Sequence, residues 1–76
     1  MNNEKIVLSD IQKNLKEAIK QSGLTQTEIA RRLGVAPSQV SCYFRGKKMP
    51  ALDTLANLCV ILDIDPADIL CTNSDK

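Results

Sequence analysis

An all-α fold, a compact cluster of five short helices in one domain, is what this 76-residue sequence predicts. Three observations carry that expectation. The apolar complement is aliphatic: 43% of residues are hydrophobic, yet there is one Tyr, one Phe and no Trp, a balance that favours helices over a small β-barrel. Gly23, Gly34 and Gly46 each follow an apolar repeat of helical period, where a left-handed residue closes a helix. Pro37 and Pro66 each precede such a repeat. Proline suits the first helical position, because its missing N–H would have no partner there.

The first helix is predicted over Asp10–Ser22, with Ser9 as cap, Gln12 completing a capping box, and a stripe of Ile11, Leu15, Ala18 and Ile19. A second is predicted over Gln26–Leu33. Thr25 and Glu28 have capping-box spacing there, and Leu24 and Ile29 have that of a hydrophobic staple. The third, Pro37–Arg45, would turn Val40, Tyr43 and Phe44 inward, with Ala36 a poor cap. For the fourth, Leu52–Leu62, a near-continuous apolar face (Leu52, Leu55, Ala56, Leu58, Cys59, Leu62) predicts the central position. A short fifth helix, Pro66–Leu70, has Asp65 as cap, Asp68 near its positive end and Ile64 and Ile69 at staple spacing. Residues 1–8 are expected to form a flexible N-terminal arm, 9–71 the domain and 72–76 a frayed tail. Helices this short are marginal alone, so their stripes must stabilise one another.

Composition removes several functions. No run approaches the roughly 20 apolar residues of a membrane span, and the N-terminus has no secretory pattern. A cytoplasmic protein is expected. Three widely spaced cysteines, Cys42, Cys59 and Cys71, make no disulfide framework. With no His, there is no Cys/His metal site and no His-activated nucleophile. Neither enzyme activity, cofactor, metal nor small-molecule substrate is expected.

Charge is uneven. The net charge is +1, but residues 25–48 carry Arg31, Arg32, Arg45, Lys47 and Lys48 against Glu28 alone, a local +4, while residues 49–76 carry −4. A basic middle beside an acidic end suggests one anion-facing side. Only Gly34, Val35 and Ala36 join the second and third helices, and such a turn crosses two helices steeply and lets the second project. The projecting helix carries Ser38, Gln39, Ser41 and Cys42 rather than bulky charges. Short polar residues allow close approach to base edges in a groove about 12 Å wide.

The blocks GLTQTEIARRLGVAPSQVS, GKKMPALDTLANLC and LDIDPADIL resemble the lambda-repressor-like helix-turn-helix domains of the Xre/Cro family, over Leu15 to Leu70. The resemblance implies double-stranded DNA as partner and Pro37–Arg45 as recognition helix. Base contacts would fall to Pro37, Ser38 and Cys42, with Gln39 beside them. Gln26, Ser41, Arg45, Lys47 and Lys48 would meet phosphates. Two departures stand out. Few of these side chains can form bidentate base contacts, so DNA shape and thymine-methyl contact would share the readout. Where the family often pairs an Arg with a Glu, this chain has Ile19 and Phe44, and an apolar contact between them is expected instead.

Other residues have plainer readings. Arg31 and Arg32 fit helix-end surface charge better than DNA contact. Cys42 could sense redox state, although a chance small residue fits better, and Cys59 fits a core hydrophobe. Asp63, Asp65 and Asp68 suit caps and turns, and Tyr43 suits packing. The sequence therefore predicts a sequence-specific transcriptional regulator, of repressor type, from a bacterium, phage or mobile element. It would act as a weak homodimer that tightens on DNA, paired through the end of the fourth helix, the Asp63–Pro66 loop and the last helix, with Ile61, Ile64 and Ile69 as candidates. The alternative is an antitoxin-like or adaptor module that keeps the fold and has lost DNA reading.

Overall fold

Residues 7–70 are described by the structure, a computed structural model. They form α1 (Leu8–Ser22), α2 (Gln26–Leu33), α3 (Pro37–Phe44), α4 (Leu52–Leu62) and α5 (Pro66–Leu70), and no strand occurs among the described residues. Residues 1–6 and 71–76, with most of the expected arm, Cys71 and the expected tail, lie outside the described residues.

The caps show why the helices begin where they do. Thr25 has an extended backbone and its hydroxyl accepts from the Glu28 N–H at 3.0 Å, satisfying one of the amides a helix start leaves unpaired. Asp65 likewise accepts from the Ala67 N–H at 3.1 Å. Helix α1 departs from expectation. It starts at Leu8 with Val7 as an uncapped, extended residue, and the Val7 carbonyl accepts from Asp10 and Ile11. Ser9 is already helical and cannot cap. Neither Leu8 nor Ser9 is a helix breaker, so the helix starts two residues earlier than a Ser9 cap permits. Asp63, read from the sequence as a cap or turn residue, closes α4 in the left-handed region at φ 58° while the Ile64 N–H bonds the Cys59 carbonyl at 3.0 Å. Asp tolerates this conformation better than most side chains.

The core is one aliphatic cluster to which every helix contributes: Leu15 and Ile19, Ile29 and Ala30, Val40 and Tyr43, four residues of α4, and Ile69. Among the described residues no charged or polar side chain is buried. Helix α4 supplies Leu55, Leu58, Cys59 and Leu62, but Leu52 is 81% exposed and belongs to no core face. It stands at the first position of α4. Burial, with the carboxylates of Asp65 and Asp68 nearby, raises the Cys59 thiol above its ordinary pKa, so it stays a protonated hydrophobe. Helix α5 is pinned by the Asn14 side-chain amide, which donates to the Ile69 carbonyl at 3.1 Å. Helix α2 packs most extensively on α3 and also meets α4, while α1 backs α3, α4 and α5. Helix α3 rests chiefly on α2 and α1, so it occupies an edge of the cluster. No described helix is long and apolar enough to cross a membrane.

Candidate nucleic-acid interface

Two closures position α3. After α2, Gly34 takes φ +80°, and both its N–H and that of Val35 donate to the Ala30 carbonyl, at 2.8 and 3.1 Å. A Cβ added at Gly34 would meet nothing within 4 Å, so glycine is needed for its conformation and not for space. Val35 tucks against the core, and Ala36 turns extended without a side-chain cap before Pro37 opens α3. The other closure ends α3. Gly46, at φ +74°, donates to the Tyr43 carbonyl, and Lys47 donates to that of Cys42 at 2.9 Å. This paired pattern shuts the helix and turns the chain sharply into the basic loop.

Helix α3 divides by period. Val40 and Tyr43 face the core, Tyr43 being 5% exposed and so a packing residue. Pro37 and Ser38 are exposed; Gln39, Ser41 and Cys42 are partly so. The five form the polar outer surface. Arg45, Lys47 and Lys48 follow it, all exposed. Lys48 Nζ reaches Gln39 Oε1 at 3.4 Å, so Gln39 leans toward the basic loop. Gln26, partly exposed at the first position of α2, makes no side-chain hydrogen bond that joins it to these residues.

Ion pairing sorts the cations of the basic block. The Glu28 carboxylate does not complete the capping box by turning back to the Thr25 N–H. It accepts from Arg31 Nε at 3.1 Å, from the other end of that guanidinium, and from Arg32 Nε at 2.7 Å. Charge-assisted contacts from two arginines, three and four positions further along the helix, outcompete a single neutral amide. Arg31 and Arg32 are thereby committed to α2. Arg45, Lys47 and Lys48 form no salt bridge among the described residues. Hydrogen bonds from Arg31 first, and then Arg32, pull the Glu28 pKa from 4.5 to about 2. The depressed value means that its stabilisation is complete above pH 4.5 and is lost as pH falls toward 2. Exposure keeps the effect small. Carbon-detected NMR titration should give Glu28 a midpoint near 2, moving upward in the variant Arg31→Ala; a wild-type midpoint near 4.5 would contradict the trio.

Two α1 residues at this site were not legible in the sequence. Gln12, which has capping-box spacing from Ser9, instead donates from Nε2 to the Gly46 carbonyl at 3.1 Å and ties the end of α3 to α1. Lys16 Nζ stands 5.3 Å from the centroid of the Phe44 ring, within cation–π range. Phe44 is partly buried and packs against the cluster that contains Ile19. Among the described residues no group of three or more His, Cys, Asp or Glu could hold a metal.

A helix-turn-helix family model matches residues 15–69. The uncharacterized HTH-type transcriptional regulator YqaE of Bacillus subtilis (strain 168) is 39% identical over 51 residues, which are 67% of this chain and 44% of that protein. The chain thus spans less than half of that relative's length. No solved structure matches at comparable strength.

Proposed function

Because the chain belongs to the helix-turn-helix family, whose members dock on DNA through the second helix of the motif, we propose that it is a sequence-specific DNA-binding transcriptional regulator of repressor type. Helix α3 enters the major groove. Pro37, Ser38, Gln39 and Cys42 meet base edges, and Gln26, Ser41, Arg45, Lys47 and Lys48 meet phosphates. One observation carries this reading: a polar helix face at the edge of the cluster runs directly into three cations that form no salt bridge among the described residues. Phosphate contacts would supply most of the affinity, and the small side chains on α3 leave much of the specificity to DNA shape. Two copies would bind half-sites about one turn (~34 Å) apart. Ile69 is fully buried and drops out as a pairing residue. Ile61 and Ile64 are partly buried, and Val60 is 78% exposed on the same stretch of α4.

Selection of bound sites from a random duplex library tests the proposal, with a palindromic motif as the expected result. Lys47→Ala should weaken all selected sites alike, about fivefold at 0.15 M salt, and flatten the salt slope by about 0.9. Substituting Ser38 or Gln39 should change which site is preferred. A chain that binds no duplex at 50 mM salt would overturn the proposal in favour of a protein-binding adaptor.

A further inference from the structure

Beside the end of α3 lies a cleft of about 280 Å³, walled on one side by α1 and on the other by the turn that closes α3. Ser9, Gln12, Lys13 and Lys16 line the α1 side, and Phe44 and Arg45 line the other. Three cations therefore face one opening, and no carboxylate lines it. None of the three forms a salt bridge among the described residues. The opposite flank of α1 is different: the groove there is lined by Glu17 and Asp68. Helix α1 thus separates a cationic cleft from an acidic groove.

The cleft is also fixed in place. The Gln12 amide holds the Gly46 carbonyl at 3.1 Å, which ties the Arg45–Gly46 turn to α1. The Phe44 ring lies 5.3 Å beneath the Lys16 ammonium and orients it while leaving its N–H donors free. Two ammonium groups, a guanidinium and a hydroxyl suit a tetrahedral anion with several acceptor oxygens.

We propose that this cleft is a second phosphate site, in which Lys13, Lys16 and Arg45 hold a backbone phosphodiester flanking the bases met by α3. The inference rests on the DNA-binding reading and adds Lys13 and Lys16 to the interface. The cleft continues the basic surface of Arg45, Lys47 and Lys48 around the end of α3, along the course of one DNA strand.

The double variant Lys13→Ala/Lys16→Ala tests it on the full chain. Its thermal melt should match the wild type, because both residues are exposed. Duplex affinity should fall about fivefold at 0.15 M salt, on selected and random sequence alike, with a salt slope flatter by about 0.9. Ethylation interference should lose one phosphate outside the selected motif. A wild-type slope in the double variant, while Lys47→Ala still flattens its own, would overturn the inference and leave the DNA reading standing. Inorganic phosphate and a mononucleotide, titrated by NMR at 0.15 M salt, should give no saturable shift at Lys16 or Phe44. Saturable binding of either, with duplex affinity unchanged in the double variant, would overturn the inference in favour of a free anionic effector. Absence of duplex binding by the wild type would overturn both readings.

Discussion

Ile29→Ala should melt roughly 10–25 °C below the wild type. Ile29 has no exposed surface and sits one turn into α2, the helix that packs on both α3 and α4. Truncating a fully buried Ile removes transfer free energy and leaves a cavity, together about 2–5 kcal/mol. A domain of this size has only about 5 kcal/mol or a little more to lose, and each kcal/mol moves its midpoint by about 4–8 °C. Leu24, at staple distance in sequence and packed on the same cluster, would lose part of its support. Far-UV circular dichroism on heating checks this, with Val60→Ala as control. Val60 is 78% exposed, so its truncation should stay within about 0.5 kcal/mol of the wild type. A melt for Ile29→Ala within two or three degrees of the control would mean that α2 is not held by the shared core.

Replacing Arg45, Lys47 and Lys48 together by Ala should lower duplex affinity on the order of a hundredfold at 0.15 M salt. Each phosphate contact releases counterions equivalent to a slope of about 0.9 in log affinity against log salt. At 0.15 M that is about fivefold per contact, and three contacts multiply. The slope itself should flatten by about 2.7, and the deficit should widen as salt is lowered. Stability should change little, since all three side chains are exposed and form no salt bridge among the described residues. Fluorescence anisotropy across a salt series separates this result from a folding defect. A triple variant with an unchanged slope would remove these residues from the interface.

The sequence made the architecture legible because its local signals agree. The Thr25 cap, the Pro37 and Pro66 starts and the left-handed Gly34 and Gly46 all stand where the repeats of Ile, Leu and Val require them. It failed where two partners compete for one group. Spacing alone gives Glu28 to the Thr25 amide, but Arg31 and Arg32 offer charged donors on the same helix face. Gln12 has capping-box spacing from Ser9, yet its partner lies 34 residues away and comes near only once α3 is folded back on α1. Leu52 belongs to an apolar run but is 81% exposed at the first position of α4, a matter of helix placement that periodicity does not encode. At the candidate site, the outward position of Ser38 followed from period. Setting Arg31 and Arg32 apart from the loop cations followed from their place at the end of α2, but their shared hold on Glu28 did not, because it depends on which arginines that carboxylate can reach.

The double closure at the end of α3 bears on how quickly and cheaply an anion can be received. The amides of Lys47 and Lys48 both point at the Cys42 carbonyl, so the main chain of the basic loop is already arrested in the free molecule. Ordering it on encounter would otherwise oppose association by about 1–2 kcal/mol per residue. Only the rotamers of two long side chains are left to quench, and docking can proceed as a near-rigid event without a folding step of its own.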